Sequence, residues 1–444
     1  MTVSINGQAI FVNMLNHNQI LQLRKKYLSP SLSLSYDSPL HIIRGKAQYL
    51  YDTKDNRYLD AVNNIQHVGH CHPKVVVAAQ EQYGILNTNT RYLDETVVSY
   101  AKDLTSYLPE DLNVCFFTNS GSESNDLALR LARNITQSRE TIVLDGAYHG
   151  HVSSLIEISP YKHNSKGGSG PPSYVHTLPI PDAYRGKYRG HKALNGYLEE
   201  LKKILLSIKK DGKKLSAFFV EPIMGCGGQL ILPDKFLKQS FELVRNEGGV
   251  CIADEVQIGF GRVGSNFWGF ETADVQPDIV TMGKSMGNGH PLSVVVAKKE
   301  IADKFNNGME YFNSFGGNPV SCAVGKAVLD VIREEKMQKN AYKVGKYLLK
   351  QLKNLQEEFP LIGQVRGKGL FIGIELIKNT AKLTPASKEA EKAVNAMMRK
   401  KILLSTDGPD RNVIKIKPPM VFNSENADEL VLKLSEVLSN IEHE

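Results

Sequence analysis

Asp278-Ile279-Val280-Thr281-Met282-Gly283-Lys284-Ser285-Met286-Gly287-Asn288-Gly289-His290-Pro291 decides how this chain is read. An apolar β-rich run ends in a glycine-rich turn, and a single lysine, Lys284, stands at the junction. A lysine amine is protonated at neutral pH and becomes a nucleophile only where burial, a nearby cation or covalent capture removes its proton. The end of a buried strand followed by small residues offers such a place. Taken alone, the stretch reads more simply as a lysine at a loop rim with its ammonium in water. Partners elsewhere in the chain decide between the two.

Outward from this stretch, short β-rich runs alternate with helical ones. They are Val114–Thr118, a helix over Glu123–Thr136, Thr141–Leu144, a helix over Ala193–Lys209, Ala217–Val220, a helix over Lys235–Asn246, Val250–Ala253 and Ile279–Met282. Such alternation predicts an α/β fold with a mainly parallel sheet covered by helices on both faces. Upstream, Tyr49–Asp52 and Arg57–Asp60 flank a polar turn and read as a hairpin. Downstream of Pro319, two long helical patterns precede strands at Leu370–Ile377 and Val413–Ile416, a smaller α+β unit. We expect an N-terminal arm over 1–55 packing with the small domain, a large domain over 56–324 and a small C-terminal domain over 325–444. The turn-rich Lys166–Pro172 reads as a surface loop.

With 444 residues and 41% apolar content the chain can bury a large core. Lys and Arg number 54 against 47 Asp and Glu, a formal +7, but they read as scattered, with no stripe of the kind a nucleic-acid binder carries. Cys71, Cys115, Cys226, Cys251 and Cys322 are odd in number and widely separated, which fits a reducing compartment without a disulfide framework. No apolar run approaches membrane length and no secretory pattern opens the chain. The expectation is a cytoplasmic protein with neither membrane nor nucleic-acid partners.

Four constellations converge on Lys284. Asp254 follows the apolar run Val250–Ala253, at the strand end where open α/β sheets bind ligands; its simpler role is capping a turn. Ser120-Gly121-Ser122-Glu123 follows a strand and opens a helix, so it can cradle a phosphate or be a plain serine-capped helix. Tyr148 in Gly146–His151 offers an aromatic face to a planar ring or to packing. Asn313–Pro319 can present the Ser314 hydroxyl to the same phosphate. Two other motifs carry no weight. Gly259-Phe260-Gly261-Arg262-Val263-Gly264 satisfies G-x-G-x-x-G but opens no helix, so it is a weak dinucleotide fingerprint. His67, His70, Cys71 and His72 lack metal-ligand spacing, and no metal site is expected.

With these residues assembled, the chain resembles the class III aminotransferases, fold-type-I pyridoxal-phosphate (PLP) enzymes, over nearly its whole length. Ser120–Glu123, Tyr148-His149-Gly150, Glu221-Pro222, Asp254-Glu255-Val256-Gln257, Gly259–Arg262, Lys284 and Gly316–Pro319 match that family in order. The resemblance implies that Lys284 forms the Schiff base with PLP and that Asp254 holds the pyridine nitrogen. It further implies that Gln257 lies near the phenolic oxygen, Tyr148 stacks on the ring, and Ser120, Gly121, Ser122 and Glu221 belong to the cofactor site. It assigns Ser314 to the phosphate of the neighbouring subunit, hence a homodimer with a shared active site.

Within that family the resemblance is closest to the ethanolamine-phosphate and phosphohydroxylysine phospho-lyases, through Asn63–His70, Leu86–Asn89, Arg185–Arg189, Phe312–Gly317 and Asn412–Met420. Where ornithine and 4-aminobutyrate transaminases carry an arginine for the substrate carboxylate, this chain has Lys415; where they carry the glutamate that pairs with that arginine, it has Cys226. An arginine fork clamps a carboxylate bidentately, whereas a lysine suits a phosphate as a point charge. The resemblance therefore implies a phospho-lyase acting on a small phosphorylated amine, with Asn63, Arg91, Lys415 and Lys417 as substrate-binding candidates. The alternative is an ω-amine:2-oxo acid transaminase, and a more distant one is an NAD-linked dehydrogenase.

Overall fold

A computed structural model describes residues 15–442, together with the backbone of two short antiparallel strands, Thr2–Ile5 and Gln8–Phe11. The rest of the expected arm before residue 15 lies outside the described residues. The centre is a seven-stranded sheet: β1 (Leu112–Thr118), β2 (Glu140–Leu144), β3 (Val175–Leu178), β4 (Leu215–Val220), β5 (Val250–Asp254), β6 (Ile279–Met282) and β7 (Ser293–Lys298), in the order β1-β7-β6-β5-β4-β2-β3. All neighbours run parallel except β7, which is antiparallel to both β6 and β1.

Burial explains the composition of these strands. Every residue of β2, β4, β5 and β6 is buried. Alternate residues feed the two faces: Phe218 and Val220 enter one apolar cluster with the helices Ala193–Lys210 and Phe236–Asn246, while Ala217 and Phe219 enter another with helix α1 (Gly121–Thr136). A strand covered on both sides has no polar face, so it reads as a continuous apolar run. The sequence missed β7, and its direction follows from connection length. Only residues 283–292 separate β6 from β7, and a parallel return needs a crossover of roughly a dozen residues or more.

In the C-terminal unit, Ile362–Lys368, Phe371–Asn379, Val413–Ile416 and Ser405–Asp407 form an antiparallel sheet. The N-terminal hairpin joins this unit, because Arg57–Asp60 pairs parallel with Ile402–Leu403. The boundary expected between 55 and 56 thus falls in the turn of one continuous hairpin. The boundary expected at 325 falls inside helix α2 (Pro319–Glu334), which starts at Pro319 and ends before Lys336, whose φ is +52°. The next helix, α3 (Met337–Glu358), buries Ala341, Val344, Leu348, Leu352 and Leu355. Its lysines 339, 343, 346, 350 and 353 are all exposed, and at 100° per residue they fall on the opposite side. The basic residues are therefore not simply scattered.

Candidate active site

The C-terminal edge of the parallel strands opens into a cavity of about 280 Å³ lined by Lys284, Asp254, Tyr148, Gln257, Ser120 and Gly121, among others. Lys284 stands one residue beyond β6, after Gly283, and takes φ +37°, a left-handed conformation that a side-chain-bearing residue adopts only where its surroundings hold it there. Its neighbour Ser285 is buried and Met286 lies in the core.

Asp254 ends β5 with its carboxylate almost fully buried. Its Oδ2 accepts from the His149 Nδ1–H at 2.8 Å and from the Asn125 amide at 2.9 Å, and its Oδ1 accepts from the Val256 N–H at 3.1 Å. Asn125 also donates to the His149 carbonyl at 2.6 Å, and the His149 ring lies 4.5 Å from that of Phe219. Three donors thus converge on one carboxylate and fix its orientation. The adjacent Glu255 turns away, accepting from the N–H groups of Gly269 and Phe270 at 2.8 Å each; burial pushes its carboxyl up to about 8. Of the two acids after β5, only Asp254 lines the cavity.

At the opposite end, Ser120 caps α1, its hydroxyl accepting from the Glu123 N–H at 3.2 Å. The first N–H groups of a helix have no intrahelical acceptor, so those of Gly121 and Ser122 can receive an anion. Gly121 is required by close approach: a Cβ there would stand 2.9 Å from Val256 Cγ1. The Ser122 hydroxyl is 2.9 Å from His151 Nδ1. Tyr148 forms one wall, edge-on to Tyr161 at 6.0 Å.

Behind Gln257 lies a buried polar cluster. Lys417 Nζ donates to Gln257 Oε1 at 3.2 Å and is 3.6 Å from Asp407. Asp407 also accepts from Gln229 at 2.8 Å and from Lys415 at 3.4 Å. The Cys226 thiol is 3.8 Å from Gln257 Nε2, and burial pushes its pKa up to about 12, so it stays neutral. Glu221, at the end of β4, is buried, accepts from the Gly225 N–H at 3.0 Å and is raised to about 7, chiefly by desolvation.

The model of the aminotransferase class-III family matches residues 33–438. The chain belongs to the class III aminotransferases. Among curated relatives, a Drosophila melanogaster protein named alanine–glyoxylate aminotransferase 2-like is 48% identical, over 97% of this chain and 89% of the relative. A Caenorhabditis elegans ethanolamine-phosphate phospho-lyase homolog 1 is 41% identical, over 99% and 97%. Among solved structures, a phospholyase from Arthrobacter in complex with phosphoethanolamine superposes with a TM-score of 0.90 at 38% identity, covering 95% of this chain and 99% of that one. Pyridoxal phosphate is the cofactor of the class III enzymes. The cavity fits it: an amine, a carboxylate fixed by three donors and a helix N-terminus that tolerates no Cβ surround one space.

The remaining residues expected in this class III site are spread more widely. Asn63 is half-buried, and its N–H donates to Asp60. Arg91 is exposed, pairs with Glu310 at 3.0 Å, stacks 4.0 Å above Phe312 and does not line the cavity of its own chain. Ser314 is exposed and also outside that cavity, though Asn313 beside it bonds Asn119 and Glu123 at the start of α1. The Gly259–Gly264 motif serves packing: Arg262 is fully buried and donates to Leu370 and Pro418 carbonyls and to His67. His67 also meets the Phe260 carbonyl at 2.8 Å, and His70 meets Asp60 at 2.7 Å. Asn125 and His149 are among the cavity residues to which the sequence alone gives no role.

Proposed function

We propose that this class III enzyme is a phospho-lyase that eliminates phosphate from a small phosphorylated primary amine of the phosphoethanolamine or phosphohydroxylysine type, releasing an aldehyde and ammonia. The observation that carries this reading is the charge set around the cavity. Among the described residues no arginine lines it, whereas Lys415 and Lys417 lie beside it through Asp407 and Gln257, and Cys226 is a neutral thiol. A site without a guanidinium fork lacks the bidentate clamp for an oxo acid, while ammonium groups suit a phosphate. The likeness to the phosphoethanolamine-bound Arthrobacter phospholyase supports the same substrate class.

Bound pyridoxal phosphate supplies the electron sink. With the cofactor bound, the Lys284 amine would take the proton from the substrate carbon bearing nitrogen. Asp254 would hold the protonated ring nitrogen, and His149 and Asn125 keep its carboxylate in place. The electron pair left by that proton would expel phosphate from the neighbouring carbon, and water would carry the remainder to aldehyde and ammonia. The positive charge of Lys415 favours the departing anion.

We further assign the active assembly to a homodimer in which Ser314 reaches the partner's site. The exposed Leu93, Phe312 and Phe315 give that face an apolar character that water alone does not suit. The five free cysteines suit a cytoplasmic location.

The transaminase reading is favoured by the name of the Drosophila relative. Holoenzyme given phosphoethanolamine together with pyruvate separates the two. The phospho-lyase reading expects phosphate without alanine; alanine formed faster than phosphate would reverse it.

A further inference from the structure

Lys417 sits where the substrate was expected to find a phosphate ligand, yet its surroundings are those of an internal strut. Only 1% of its side chain is exposed, its Nζ lies 4.3 Å from the centre of the Phe371 ring, and it does not line the cavity. What it touches is Gln257 Oε1, at 3.2 Å. An ammonium group donates and never accepts. It can therefore bond only the oxygen of an amide, and it settles which way the amide faces.

We propose that Lys417 is a positioning residue that fixes the Gln257 amide with its oxygen inward, so that the amide N–H groups are turned toward Cys226 and the cofactor cavity. Without Lys417 both orientations of a glutamine side chain are open, and one of them presents an acceptor where the other presents a donor. The role holds for either reaction, because it concerns the cofactor and not the leaving group.

The strut is itself held. Asp407 Oδ2 lies 3.6 Å from the amine, and Gln229 and Lys415 hold Asp407 in turn. The groups facing Lys417 are Asp407 and Lys415 from the C-terminal sheet, Cys226 from the turn after β4, and Glu221 at the end of that strand. Burial dominates, lowering its pKa to about 8. Asp407 keeps Lys415 and Gln229 when Lys417 is replaced, so the pocket behind Gln257 is not left with an unpaired carboxylate.

The test uses holoenzyme carrying Lys417→Met, which keeps the length and removes the donor, Lys417→Gln, which keeps a donor but adds an acceptor, and Gln257→Leu. The readouts are the visible absorption of the lysine-bound cofactor across pH, and the cofactor dissociation constant. Lys417→Met is expected to change the absorption titration and weaken cofactor binding by about tenfold, the scale of one buried hydrogen bond. Gln257→Leu is expected to do the same, with little further change in the double variant. Lys417→Gln, able to meet either face of the Gln257 amide, is expected to shift both readouts in the same direction as Lys417→Met. A Lys417→Met enzyme with parental absorption and cofactor affinity, but a raised KM for phosphoethanolamine, would overturn the proposal and return Lys417 to the substrate. If Lys417→Met fails to fold, the other two variants decide: altered absorption and cofactor affinity in both Lys417→Gln and Gln257→Leu support the strut, and parental behaviour in Lys417→Gln overturns it.

Discussion

Gly121→Ala is the perturbation whose effect can be worked most directly from distances. Gly121 is the first residue of α1, and a Cβ there would lie 2.9 and 3.2 Å from the two γ-methyls of Val256. Val256 cannot retreat easily, since it is only 5% exposed and its N–H is bonded to Asp254. Overpacking of this kind costs about 1–3 kcal/mol. Relief comes from moving the helix start away from the cavity, which displaces the N–H groups meant for the cofactor phosphate. If most of the strain is relieved that way, PLP affinity falls by roughly 10- to 100-fold, at 1.4 kcal/mol per factor of ten. Equilibrium dialysis of the apoenzyme against PLP measures it. Val256→Ala removes both offending methyls, so the double variant Gly121→Ala/Val256→Ala should bind PLP more tightly than Gly121→Ala alone. Parental affinity in Gly121→Ala, or strictly additive losses in the double variant, would refute the close-approach argument.

Other outcomes follow from the same geometry. Lys284→Ala is expected to abolish the visible absorption of the holoenzyme, and an unchanged spectrum would remove Lys284 from the chemistry. Glu221 has its folded pKa raised to about 7 from 4.5, so between those values the folded chain holds more proton than the unfolded one and stability falls as pH rises. Thermal unfolding across pH 4.5–7 should therefore show a shallower slope in Glu221→Gln than in the parent. Arg262→Ala leaves the Leu370 and Pro418 carbonyls and His67 without their buried donor, a loss of about 1–3 kcal/mol per stranded group, and denaturant midpoints should drop accordingly.

The parts of the fold legible in the sequence were those where burial leaves a one-dimensional trace. The runs over β4, β5 and β6 are mostly apolar because both faces are covered, and the sequence places them within a residue or two. The run Ser293–Lys298 is just as apolar, but nothing local tells a strand that it reverses and inserts between β6 and β1. The residues of the cofactor end were legible as types at strand ends. Their mutual support was not: His149 and Asn125 reach Asp254 across separations of 105 and 129 residues. Lys417 illustrates the same limit. Its place in the chain beside Lys415 suggested a shared task, whereas packing sends one to a half-buried ion pair with Asp407 and the other into the interior against Gln257. The basic ridge of α3 escaped notice because its lysines are spaced three and four apart and never form a run.

The reaction itself is settled most directly by giving holoenzyme phosphoethanolamine with no 2-oxo acid present and counting products. The account predicts continuous turnover with phosphate, ammonia and aldehyde released in equal amounts. Phosphate release that stops, or never begins, until an oxo acid is added would contradict it.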